Sequence, residues 1–187
     1  LLQLATADGD QLRGPCLHIA DAPRFAYRGL HIDVSRHFFP LDFIKRQIDA
    51  MARYKLNRRH WHLTDGAGWR MEIKKYPRLT SVAAWRPFAS WQAWWDSDRR
   101  YCTATDANAY GGYYTQDECR EVVRYAAERH ITVIPEIEMP GHSEEVMAVY
   151  PECSCSGEAY KNNEFCPGKE TTFRFLEDVL TEVMDVC

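Results

Sequence analysis

No apolar run in this 187-residue chain approaches the ~20 residues that cross a bilayer as a helix, which excludes a helical membrane span. The opening stretch, Leu1 to Asp8, lacks both a basic start and a long apolar core, so it does not read as a secretory signal. No Met begins the chain, and the natural N-terminus is expected upstream. Positive charge is not in excess. The 23 Lys and Arg against 27 Asp and Glu leave a net charge of -4, which argues against a general attraction to nucleic acid. Basic runs such as Arg53-Tyr54-Lys55 and Asn57-Arg58-Arg59 read as solvated helix ends. No internal repeat and no low-complexity tract is visible. The seven cysteines contain no Cys-x-x-Cys, and Cys153-x-Cys155 has the wrong spacing for the usual zinc knuckle. A Cys155–Cys166 disulfide in an oxidising compartment and free thiols both remain open.

What is present is an alternation of strand and helix signals. Residues 1–24 read as a leading segment, with one strand over Cys16-Leu17-His18-Ile19. Residues 25–187 read as the main domain. In it, Arg28 to Val34 alternates with period two and predicts a strand. Pro40 and Asp42 open a helix, with Asp42 as N-cap and Ile44, Ile48, Met51 and Leu56 as its buried stripe, ending near Asn57. Arg59 to Leu63 predicts a second strand. An irregular insertion follows over about residues 66–114, with a strand-like run from Trp69 to Ile73 and a Trp-rich patch from Trp85 to Trp95. Trp suits sugar binding because its ring face packs on the apolar face of a pyranose, but most Trp residues are core. Thr115 and Glu118 form a capping box for a helix with Val122, Val123, Ala126 and Ala127 on its apolar face. Ile131 begins a third, buried strand running to Glu138. A turn at Pro140-Gly141-His142, a short helix over about 144–149, a Cys-bearing loop and a last helix over 171–186 complete the chain. This order predicts an α/β fold with parallel strands covered on both faces. Three such strands cannot close an eight-strand barrel, which needs ~200 residues or more. The fold is therefore either an open sheet or the first part of a (β/α)8 barrel.

Ionisable residues gather where each predicted strand ends. Asp33 and Arg36 follow the first, His60, His62 and Asp65 the second, and Glu136, Glu138 and His142 the third. In parallel α/β folds the C-terminal strand ends build the site. Each residue also has a plainer reading. Asp33 and Arg36 form a local ion pair, His60 and His62 are hydrogen-bonded core histidines on one strand face, Asp65 starts a turn, Glu136 pairs with a basic core residue, and His142 caps the next helix. Two chemistries fit the set as a whole. Metal-assisted hydrolysis would use His60-x-His62 with Asp65, Glu138 and His142 as ligands. Carboxylate-driven glycoside hydrolysis needs two acidic groups at the sugar. Spacing alone does not separate them.

Four segments in order resemble the signatures of family 20 glycoside hydrolases, the β-N-acetylhexosaminidases. They are Tyr27 to Phe38, then Lys55 to Asp65 continuing through Gly68 to Pro77, then Tyr114 to Asp117, then Ile134 to His142. The resemblance covers about residues 24–187. It implies a (β/α)8 barrel, of which this chain is the first three β/α units and the following helix. It implies hydrolysis of terminal N-acetylglucosamine or N-acetylgalactosamine from a glycan, without metal or other cofactor. The sugar's own 2-acetamido oxygen attacks the anomeric carbon, a Glu protonates the leaving oxygen, and an adjacent Asp orients the acetamido group. By the same resemblance Arg36 binds sugar hydroxyls, with Asp33 and Glu138 as further substrate contacts. Asp65 and His142 are the pair that supports the general acid. The catalytic Asp-Glu pair and the Trp walls of the acetamido pocket are expected later, on and beyond a fourth strand, so these residues alone are expected to be inactive. A secreted, periplasmic or lysosomal location is expected. One departure stands out: many members carry a second Asp after the one matching Asp65, and here it is Gly66. A metal-dependent amidohydrolase-like barrel built on His60-x-His62 and a non-catalytic glycan-binding barrel remain as alternatives.

Overall fold

The computed structural model describes residues 4–187. Two short strands, β1 (Thr6–Asp8) and β2 (Gln11–Arg13), form an exposed antiparallel hairpin. Gly9, at φ +61°, sits in its two-residue turn, where a positive φ suits the twist of the strands. The strand expected over Cys16–Ile19 is not formed. Those residues follow Pro15, lie exposed, and pair with no strand among the described residues.

The centre of the molecule is a parallel sheet of three strands: β3 (Gly29–Asp33), β4 (Arg58–His62) and β9 (Thr132–Glu136), in the order β3-β4-β9. The register puts His31 beside His60 and Asp33 beside His62, with His62 in turn beside Glu136. Asp33, His62 and Glu136 thus stand at the same level. Among the described residues, only β4 is flanked on both sides. Its Arg59 and Trp61, with the following Leu63, are fully buried beneath the helices, whereas on the opposite face His31 and His60 are only partly covered and His62 alone of the three is buried. The expectation of strands covered on both faces therefore holds fully for one face and only in part for the other. β9, expected to be a buried strand, buries only Val133 of its five residues, because β4 is its only neighbour among the described residues.

Helix α1 (Leu41–Arg53) joins β3 to β4 and buries Ile44, Ile48 and Met51, the predicted stripe. Asp42 is not its N-cap. Pro40 holds that position, and Asp42 lies in the first turn, where its charge complements the helix dipole. The helix stops at Arg53 rather than near Asn57. Lys55 takes a left-handed φ of +58°, and the Leu56 N–H turns back to the Met51 carbonyl at 2.9 Å. That is the Schellman stop. The same device ends α4 (Gln116–Ala127): His130 has φ +58°, and the Ile131 N–H donates to the Ala126 carbonyl at 3.0 Å. Each stop feeds the chain directly into the next parallel strand. The capping box of Thr115 and Glu118 is formed, and α4 buries Cys119, Val122 and Ala126 while Ala127 stays exposed.

The insertion is more ordered than its sequence suggests. It contains the β5 (Thr64–Asp65) and β6 (Gly68–Trp69) hairpin, α2 (Arg78–Ser81), β7 (Trp85–Arg86) paired with β8 (Tyr110–Gly111), and α3 (Trp91–Trp95). Two fully buried arginines hold it together. Arg70 donates to the carbonyls of Val34, Ser35, Ala84 and Gly112, and Arg86 to those of Arg36, Ala67, Phe88 and Ala89. A guanidinium carries five N–H donors, enough to satisfy irregular loop carbonyls that no ladder reaches. Both arginines tie the insertion to the loop carrying Arg36. After β9 come α5 (Glu144–Val149), a 3-10 turn at Pro151–Cys153, a loop closed by a Cys155–Cys166 disulfide, and α6 (Glu170–Val186).

Candidate active site at the strand ends

The β3 end is shaped by Asp33. Its Oδ1 accepts the backbone N–H groups of Ser35 at 2.9 Å and Arg36 at 3.0 Å, an Asx turn that folds the chain over the strand end. Its Oδ2 accepts from Arg36 Nη1 at 2.8 Å. The other arm of the same guanidinium, Nη2, lies 2.7 Å from Asp65 Oδ2. Arg36 is thus held in a plane by two carboxylates from adjacent strand ends, with a third of its side chain still open to solvent.

Asp65 sits where β5 leaves the sheet, and its side chain is only 6% exposed. It accepts the Gly66 N–H at 2.7 Å and meets His62 Nε2 at 3.3 Å and His142 Nδ1 at 3.1 Å. Burial alone would raise its pKa. The His62 contact, the Arg36 and His142 charges and the Gly66 N–H outweigh burial and hold the carboxyl below its ordinary range. His62 shows the complement. Burial would lower its pKa, but the carboxylates of Asp65, Asp33 and Glu136 outweigh it and raise it. His142 reaches Asp65 from the β9 side through a left-handed φ of +55°. It does not cap α5, whose N-cap is Ser143.

A second group lies deeper, on the open face of the sheet. Glu136 Oε2 is approached by His60 Nε2 at 2.6 Å, His62 Nδ1 at 3.5 Å and His31 Nε2 at 3.6 Å. Glu136 therefore partners histidines rather than an arginine or lysine. Glu138 stands 3.8 Å from His62 Nε2, with its pKa raised by burial and by the nearby Glu136 and Asp65 carboxylates. Among the described residues, potential metal-ligating atoms converge in two sets, His31 with His62 and Glu136, and His62 with Asp65 and Glu138. The five-ligand set built on His60-x-His62 does not assemble. His60 faces Glu136 instead, and the Arg36 guanidinium at 2.7 Å from Asp65 opposes a cation there.

Sequence reasoning missed several neighbours. His31 is one, although its period-two relation to Asp33 places both on the same strand face. Glu144 is another. A side chain at Gly66 would collide with the Glu144 carboxylate, so Glu144 fills the space that glycine leaves. Its pKa is raised by burial, against the opposing pull of Arg99 at 3.1 Å. A cleft of about 370 Å³ opens over Arg36, Asp65, His142 and Glu144 and is walled by Trp91 and Trp95 of the insertion.

Three parallel strands joined through helices bring an arginine, an aspartate–histidine pair and flanking carboxylates together at their C-terminal ends, where parallel α/β folds build their sites. The family is specific. The sequence model of the glycosyl hydrolase family 20 catalytic domain matches residues 25–187, and the chain belongs to that family. The family's solved members place it among TIM-barrel proteins. A β-hexosaminidase of Vibrio furnissii is 47% identical over 98% of this chain, and one of Porphyromonas gingivalis 45% over 90%. The chain spans only 30% and 21% of those relatives' lengths. Among solved structures, a Bacteroides fragilis β-N-acetylhexosaminidase superposes with a TM-score of 0.79 at 40% identity, covering 98% of this chain and 34% of its own. A Vibrio harveyi exo-β-N-acetylglucosaminidase in complex with N-acetylglucosamine gives 0.78 at 36% identity, covering 99% of this chain and 30% of its own.

Proposed function

We propose that these residues form the first three β/α units, and the helix that follows, of a (β/α)8 barrel that hydrolyses terminal β-linked N-acetylglucosamine or N-acetylgalactosamine from glycans. The observation that carries this is the continuous contact Asp33–Arg36–Asp65–His142, assembled from the ends of all three strands. Arg36 grips adjacent ring hydroxyls, for which a planar multi-donor fork is suited. Asp33 and Asp65 hold that fork in place, and Glu138 offers a further acceptor. Asp65 and His142 support a general-acid Glu on a fourth strand, beside the Asp that orients the acetamido group. In the first step the acetamido oxygen bonds to the anomeric carbon as the glycosidic C–O bond breaks and the Glu proton passes to the leaving oxygen. In the second, water adds to the anomeric carbon, its proton returns to the Glu, and the oxazolinium ring reopens. Two displacements at one carbon retain the anomeric configuration. The scheme calls for no metal. The Cys155–Cys166 bridge supports a secreted, periplasmic or lysosomal location.

The test uses the full-length protein on methyl β-N-acetylglucosaminide and on methyl β-glucoside, with the product anomer read by NMR. Release of the β-anomer from the first and no measurable release from the second is expected. Equal turnover of both would remove the acetamido group from the mechanism. Binding without turnover would return the protein to the glycan-binding reading.

A further inference from the structure

Helix α3 carries three tryptophans with different fates. Trp94 is fully buried, donates its Nε1–H to the Arg100 carbonyl at 3.0 Å and packs on Tyr101. It anchors the helix. Trp91 and Trp95, one turn apart, stack on each other at 5.5 Å between centroids and 26° between planes, and remain 36% and 46% exposed. Two stacked indoles left in water are costly unless something covers them. They also wall the cleft that holds Arg36, Asp65 and His142. Their placement is built rather than accidental. The Arg99 guanidinium lies 4.9 Å from the Trp95 ring centre and pairs at 3.1 Å with Glu144, whose carboxylate fills the space beside Gly66. The insertion itself is clamped to the Arg36 loop through Arg86.

We infer that Trp91 and Trp95 form a subsite for the second sugar, the ring bearing the leaving oxygen. This rests on the hydrolase reading above. The general acid protonates the leaving oxygen, so the leaving group lies on the side of the pair that supports that acid. The Trp-walled cleft is continuous with that pair. A β-linked gluco-configured pyranose carries all its substituents equatorially, and both ring faces then present C–H groups to an indole. A galacto-configured ring spoils one face with an axial hydroxyl. The subsite thus accepts a β-linked N-acetylglucosamine unit by either face, with the Glu144 carboxylate and the Arg99 guanidinium at its edge for hydroxyl or acetamido hydrogen bonds.

The experiment compares N,N'-diacetylchitobiose with methyl β-N-acetylglucosaminide in the full-length protein. The methyl aglycone is too small to reach the indoles, so it reports the first-sugar site alone. Trp91→Ala and Trp95→Ala should each lower kcat/KM on the disaccharide about tenfold and leave the methyl glycoside within about twofold, since aromatic contacts of this kind are worth roughly that factor. Trp91→Phe should recover part of the loss. Equal losses on both substrates, or none on either, would overturn the subsite. Calorimetry with a non-cleavable thio-linked disaccharide against N-acetylglucosamine gives a readout free of turnover. The disaccharide's affinity advantage should vanish in the Ala variants, and an advantage that persists overturns the subsite. A wild-type protein that hydrolyses neither substrate refutes the hydrolase reading, while the disaccharide affinity still decides the subsite.

Discussion

His142 Nδ1 lies 3.1 Å from Asp65 Oδ2, joining the ends of two adjacent parallel strands across 77 residues of sequence. We propose that Asp65 and His142 act as one unit. In the full-length protein Asp65→Asn and His142→Ala should each lower kcat on an N-acetylglucosaminide by about a hundredfold, the lower end of general-acid help. The double variant should be little worse than the poorer single one, because groups acting as a unit lose the same function once. Fully additive losses would show two independent residues.

Arg36→Lys keeps the charge but cannot span Asp33 and Asp65 while facing a sugar. KM should rise at least tenfold, with the melting temperature within a few degrees of wild type. An unchanged KM would make Arg36 a structural ion-pair residue.

The strands and helices around this pair were legible in sequence because they obey simple rules. Gly29–Asp33 and Arg58–His62 follow period two, Ile44, Ile48 and Met51 follow helical spacing, and Thr115 with Glu118 is a capping box. Helix ends were less legible. The stop at His130 was placed correctly, but the one at Lys55 was not, because Lys55 takes a left-handed conformation usually given to glycine and nothing in composition marks it. The insertion was least legible, because Arg70 and Arg86 organise it through carbonyls, which no side-chain pattern reveals. Of the site, Asp33, Arg36, Asp65 and His142 were found from their places after strands, and the structure brings them into contact. The Trp-rich patch from Trp85 to Trp95 was visible in sequence, but which of its indoles wall the cleft, and that Glu144 lies beside Gly66, depend on packing between distant segments.

Glu145 is fully buried, both its carboxylate oxygens lack a hydrogen-bond partner among the described residues, and burial raises its pKa well above the ordinary value. Below about pH 4.3 the folded and unfolded states both hold its proton. Above that the unfolded state releases it and the folded state keeps it, so stability falls as pH rises toward the folded pKa. Glu145→Gln removes this loss. Thermal melts of the variant and wild type should differ in the variant's favour at pH 7.5, with the gap narrowing toward pH 4. A gap independent of pH would mean that Glu145 does not titrate differently on folding.

Arg59 is the other anomaly. Its guanidinium is fully buried between the sheet and the helices, and all three nitrogens lack a hydrogen-bond partner among the described residues. Burial lowers its pKa to about 10, so it stays charged at neutral pH. An unsatisfied buried polar group costs about 1–3 kcal/mol, more for a charge, and Met of similar length removes that cost. Arg59→Met should raise the melting temperature by several degrees without changing KM. A lower melting temperature would show that Arg59 has a partner in the full-length protein.

The most direct test of the central claim is a crystal structure of the full-length protein with N-acetylglucosamine bound. The sugar should lie over the C-terminal ends of β3, β4 and β9, with two adjacent ring hydroxyls within hydrogen-bond distance of the Arg36 guanidinium and the anomeric carbon on the Asp65–His142 side. A sugar bound elsewhere, with Arg36 still engaged only by Asp33 and Asp65, would contradict the assignment of this cleft as the glycosidase site.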